Sequence, residues 1–214
     1  IRFFNRVKPA IRLFSQLSFY IDRPKKTDAV VFYPERDFFI REYVLDPIGF
    51  SSVSIDPMKV NVHYLVLYKL FLLIVRNLKT LIDRKLLCLF TEAHLLSIRP
   101  KAVITLIDDC GIFSELSRYC KDTEFYAIQN GSRTIWQLKR ENEKIFLTNY
   151  FCFGQHVVDT FKMYNKTIIN PILSGSFIAN IYYYNYRKHR KQENIDICLI
   201  DQWVQYYLDA FYGN

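Results

Sequence analysis

Residues 102–131 read AVITLIDDCGIFSELSRYCKDTEFYAIQNG. Ala102–Ile107 is a short β-branched and aliphatic run, the pattern of a strand buried on both faces. Asp108-Asp109-Cys110-Gly111 is a polar turn at its carboxyl end. Ile112–Cys120 has helical spacing of apolar positions, and Thr123–Ile128 is a second strand that exits into Gln129-Asn130-Gly131. A strand, a helix and a strand in this order predict two parallel strands joined by a helical crossover. The fold class expected is therefore α/β, a parallel sheet flanked by helices.

The rest of the chain extends the pattern in both directions. Upstream, Ala29–Tyr33 and Ser52–Ile55 read as strands, and Val62–Leu78 and Lys85–Arg99 as helices, the second stopped by Pro100. The apolar run Tyr64–Val75 is too short to span a bilayer and reads as a buried helix. Phe3–Tyr20 reads as an amphipathic helix with Arg2, Arg6, Lys8 and Arg12 around it. It suits either its own domain or an anionic lipid surface. Downstream, Phe146–Phe153 is a strand, Gln155–Tyr164 a helix and Ile168–Leu173 a strand ending at Ser174-Gly175-Ser176. The basic, tyrosine-rich Tyr182–Lys191 reads as an exposed helix or linker. Ile195–Ile200 then opens a new strand and Val204–Phe211 a new helix. The expected organisation is one domain over 1–181, a basic linker over 182–194, and the start of a second domain over 195–214. The chain begins without Met and ends inside a helical pattern, so the expectation is a fragment of a longer protein.

Composition bounds the function classes. The chain has 214 residues, half of them hydrophobic, and only 13 are Gly or Pro. Disordered and collagenous classes are excluded. Lys and Arg number 29 against 21 acids, a net charge of +8. This points to an anionic partner such as a membrane surface or a phosphorylated substrate, although solubility alone also explains it. No nucleic-acid motif accompanies the charge, so no nucleic acid partner is expected. Cys88, Cys110, Cys120, Cys152 and Cys198 lack C-x-x-C spacing and read as reduced thiols of a cytosolic protein. No histidine pair has metal-ligand spacing, so no metal is expected.

In an open parallel sheet, ligands meet the loops at the carboxyl ends of the strands. Three loops qualify. Asp108 and Asp109 follow a strand directly and suit a general base, a nucleophile or a metal ligand, or one of them caps the next helix. Gln129, Asn130, Gly131, Ser132 and Arg133 combine amides, a permissive glycine, a hydroxyl and a guanidinium. Such a loop suits a polyhydroxylated or anionic ligand. Ser174, Gly175 and Ser176 suit either backbone N–H groups presented to an anion or a tight exit from the strand. The chain has no G-x-G-x-x-G and no P-loop.

The run VITLIDDCGIFSELSRYCKDTEFYAIQNGSR, then FCFGQHVVDTFKMY, ILSGSFIAN and IDICLIDQW, resembles bacterial surface-carbohydrate biosynthesis proteins of the GT-B glycosyltransferase-like superfamily. The likeness covers about residues 100–203. The strand ending in Ile-Asp falls on Ile107-Asp108, with Asp109 where Asn is usual, which adds a charge. The Gln-Asn-Gly loop falls on Gln129, Asn130 and Gly131, the Phe-Gly before a helix on Phe153-Gly154, and the closing Gly-Ser on Gly175-Ser176. The opening strand of the second domain falls on Ile200-Asp201-Gln202, with Asp in place of Ser. The resemblance implies two Rossmann-like domains, this chain holding the acceptor side and the beginning of the donor side. It implies transfer of a sugar from a nucleotide-activated donor to a glycan or lipid-linked glycan acceptor, without a bound cofactor. Asp108 would be the base or nucleophile, and Gln129, Asn130 and Arg133 would line the cleft. The expected place is the cytoplasm, peripheral at the inner membrane. A polyol-phosphate transferase or nucleotide-sugar epimerase of the same fold, and a non-catalytic glycan-assembly protein, remain as alternatives.

Overall fold

The structure is a computed structural model that describes residues 17–33, 37–76, 86–131 and 145–189. The chain divides into two compact units, Ile1–Ile181 and Tyr182–Asn214. The first is a Rossmann-like α/β unit. Its described strands are β1 (Ser18–Tyr20), β2 (Ala29–Phe32), β3 (Ser52–Ile55), β4 (Lys59–Asn61), β5 (Ala102–Thr105), β6 (Glu124–Ile128), β7 (Phe146–Cys152) and β8 (Thr167–Leu173). Its described helices are α1 (Asp37–Ile40), α2 (Tyr64–Arg76), α3 (Leu86–Ile98), α4 (Gly111–Tyr119) and α5 (Gln155–Met163). The helix α6 (Phe177–His189) begins in this unit and continues into the second.

Six strands form the main sheet in the order β3-β2-β5-β6-β7-β8, every neighbouring pair parallel. Alternation along each strand divides the core. Val30, Phe32 and Val103 face α3, α4 and α5 through Leu95, Phe113 and Phe161. Ala29, Val31 and Ile104 face the other way, onto Ile40 and Leu45. The chain steps outward from β2 to β3 and then returns past β2 to β5. Right-handed connections place these two steps on opposite faces, and the two cores are divided in that way. The reversal falls between β2 and β5.

The differences from expectation have local causes. Ser18–Tyr20 is a strand, paired in parallel with β4, and not the end of a helix; the remainder of that expected helix, up to residue 16, lies outside the described residues. Strand β2 stops at Phe32 because Tyr33 takes φ 67°, the left-handed region. The link from β2 to β3 runs through α1, a π-helical turn Arg41–Leu45 and a 3-10 turn Asp46–Ile48. Gly49 ends it at φ 69°, a conformation that suits glycine. Residues 182–189 of the expected linker are helical, and the expected second-domain elements at 195–214 lie outside the described residues.

Helix α2 is not buried as its sequence suggests. Val66, Leu70 and Leu73 pack on Leu89 and Ala93 of α3. Helix α3 sits between the sheet and α2, and is buried almost all round. Helix α2 therefore forms an outer layer. The described cysteines, Cys88, Cys110, Cys120 and Cys152, are buried. No described helix is long and apolar enough to cross a membrane.

Candidate functional site

Strand register brings the predicted loops to one edge. Phe32 is level with Thr105, Thr105 with Ala127, and Ile128 with Phe151. The exits of β5 and β6 are therefore neighbours, about 5 Å apart, while the exit of β8 is two strand spacings beyond β6, about 10 Å.

At the exit of β5, Thr105 Oγ1 donates to the Phe32 carbonyl (3.1 Å) and accepts from the Ile107 amide (3.0 Å). This turns the chain before Asp108. Asp108 is only 1% exposed, and its Oδ2 accepts the Tyr150 hydroxyl at 2.5 Å. Tyr150 is itself wholly buried in β7. The bond thus spans β6 and ties the β5 exit to the second strand along. Asp109, the next residue, is partly exposed.

Neither aspartate caps the helix. Cys110 is the N-cap of α4, its Sγ accepting from the Phe113 amide at 3.4 Å. Burial raises the Cys110 thiol above its ordinary pKa. A protonated thiol is a poor nucleophile, so the site gives no support to thiolate chemistry.

The exit of β6 follows the same plan. Gln129 is 2% exposed and its amide is fully engaged: Nε2 donates to the Gly131 carbonyl and Oε1 accepts from the Phe153 amide, both at 2.9 Å. Gln129 holds the loop and does not project from it. Asn130 and Gly131 are the partly exposed residues of the turn. Gly131 does not use the left-handed region. Ser132 and Arg133 lie outside the described residues.

At the exit of β8 the left-handed glycine is Gly175, at φ 70°. Ser176 Oγ accepts from the Ala179 amide at 3.2 Å and so caps α6. Of the loop's own amides, that of Ser174 is taken by the Cys152 carbonyl at 3.0 Å. Ser174 and the first turn of α6 border an apolar trough of about 630 Å³ on the face that carries Ile104, Tyr126 and Phe151.

Sequence reasoning missed one group at the β2–β5 reversal, where an open sheet forms its crevice. Tyr33, with a left-handed backbone, turns its ring against Phe32 at 5.2 Å between centroids. Its hydroxyl accepts from Cys110 Sγ at 3.7 Å. Burial raises the phenol's pKa, with Cys110 and the carboxylates of Asp56 and Asp109 adding to the rise. The phenol is therefore neutral and close to both carboxylates. The only sequence signal was an aromatic directly before Pro34, which is too general to single out.

The histidines with described contacts serve elsewhere. His94 is buried on α3, 3.3 Å from the Asn61 amide, and burial lowers its pKa to about 4. His63 accepts from the Leu65 amide at the start of α2. Among the described residues no His, Cys, Asp or Glu cluster has the makings of a metal site. Comparison with family models, curated proteins and solved structures gives no match for this chain.

Proposed function

We propose that this chain forms the acceptor side of a sugar transferase. The reaction moves a sugar from a nucleotide-activated donor to a glycan or lipid-linked glycan acceptor in surface-glycan assembly. One observation carries the reading. On two adjacent strands, the first polar residue after the strand is a buried anchor and the second is presented at the edge: Asp108 then Asp109, Gln129 then Asn130. Anchors of this kind hold presented groups in fixed positions, which is what acceptor recognition requires. The motif resemblance supplies the reaction class.

Asp109 then acts as the base. It takes the proton of an acceptor hydroxyl as that oxygen bonds to the anomeric carbon of the donor. The bond from that carbon to the nucleotide diphosphate breaks, and the diphosphate leaves with the electron pair. Asn130 and the backbone at Gly131 hold neighbouring hydroxyls of the acceptor. Asp108 positions Asp109 and does not touch substrate.

The test is nucleotide release by the longest reading frame that contains this chain. It is run on a panel of nucleotide sugars that includes acidic ones, with and without a membrane-lipid glycan. The expected result is acceptor-dependent release that falls at least about 100-fold in Asp109→Asn. Release of free sugar without acceptor would move the assignment to an epimerase or hydrolase. No turnover by a folded protein would overturn the enzymatic reading.

A further inference from the structure

Helix α2 is apolar on two faces. One face, through Val66, Leu70 and Leu73, is buried against α3. The other carries Tyr64, Leu67, Tyr68, Phe71 and Val75, which are between 42% and 68% exposed. Their spacing of three and four residues makes one continuous stripe about 17 Å long. A contiguous apolar patch on an outer helix marks an interaction surface.

Charge decides among the occupants. Helix α2 itself holds Lys69 and Arg76 and no Asp or Glu. A second copy of the chain would bring these cations together with no carboxylate in the segment to answer them. An anionic lipid surface answers them directly. The aromatics on the stripe also suit the headgroup level, where an apolar ring and a polar tip are both accommodated. At 13 residues α2 is too short to span a bilayer and suits lying in its plane.

We infer that the outer face of α2 is a docking surface for anionic membrane lipid, with Tyr68 and Phe71 inserted among the headgroups. This adds α2 to the amino-terminal segment as a place of membrane contact. It stands independently of the sugar-transfer reading, because its test needs no donor or acceptor.

The test is co-sedimentation of the purified chain with two kinds of vesicle, phosphatidylcholine alone and phosphatidylcholine mixed with phosphatidylglycerol. Binding is expected to the mixed vesicles and to weaken as salt is raised. The double variant Tyr68→Ser/Phe71→Ser should lower partition at least about tenfold, since it removes both inserted rings. Both sites are solvent-exposed, so the urea midpoint should hold, and that measurement separates lost binding from lost folding. Absence of binding, or equal binding by the double variant, overturns the inference. So does a dimer in sedimentation that Phe71→Glu dissociates, because the stripe would then be an interface between copies.

Discussion

Two aspartates flank the strands of the main sheet, one before β2 and one after β5, and they are used in opposite ways. Asp28 at the amino end is solvent-accessible. It accepts from Lys101 Nζ at 2.8 Å and from the Ser51 hydroxyl and amide. Asp108 at the carboxyl end is buried and takes the hydroxyl hydrogen of Tyr150. Asp28 joins β2, β3 and β5 where they begin. Asp108 is hidden so that Asp109 stands at the edge. The same side chain therefore ties strands together at one end and prepares a surface at the other. Of these two aspartates, the one that incurs the desolvation cost of burial lies at the end where an open sheet binds its ligands.

The sharpest way to break this contrast is Tyr150→Phe. It leaves the Asp108 carboxylate buried without the phenol, and the expected loss is about 4 kcal/mol of stability by urea unfolding. A loss within the range of an ordinary surface substitution would remove Asp108 from the role of anchor. His94 comes next, as a reference point away from both ends. Its folded pKa of about 4 lies below the ordinary 6.5. The unfolded chain therefore binds the extra proton first. Stability is full above pH 6.5 and falls as pH drops toward 4, by about 3 kcal/mol. In His94→Phe this limb of the stability curve should flatten. If it does not, the acid sensitivity belongs to other groups.

Gln129→Leu removes both bonds of the second anchor and leaves the Phe153 amide unanswered, an expected cost of about 2 kcal/mol. Amide exchange at Phe153 should accelerate in the variant; unchanged protection would show that the clamp is dispensable. The smallest effect belongs to Asp28. Hydrogen bonds from Lys101 and then from Ser51 hold its pKa down to about 2. Its contribution is present above the ordinary carboxylate range and is lost only as pH falls from about 4 toward 2. Lys101→Met should lower the urea midpoint at pH 7 only slightly, and flatten that acid limb by the same small amount. A large change at neutral pH would make the amino end as dependent on its carboxylate as the carboxyl end, and would erase the comparison.

The sheet was legible because its strands are apolar runs closed by polar turns. Ser52–Ile55 matches in both ends, and β5, α4 and β6 match to within two residues. Strands β1 and β4 were not legible: three residues carry no periodicity, and their pairing spans about 40 positions. The π-helical turn before β3 has no signal of its own. For the candidate site, the position of each loop could be read but the fate of its side chains could not. Asp108 and Asp109 are indistinguishable as text. The group that separates them, Tyr150, lies 42 residues away. Likewise nothing in Gln129-Asn130-Gly131 tells that the first amide is consumed by the backbone of Phe153. Residue preference allows an aspartate as the helix cap, whereas the chain places Cys110 there.

Thr105 reaches back to the Phe32 carbonyl across 73 residues, and no two adjacent strands of the main sheet are joined by a hairpin. On the ribosome, β2 emerges long before the strand that flanks it on its inner side. Until β5 is synthesised, the four wholly apolar residues of β2 have a single neighbour, β3, and one open edge. Synthesis must therefore pass through a stage in which the future centre of the sheet is its boundary, and that interval is where a nascent chain of this design is most exposed to wrong partners.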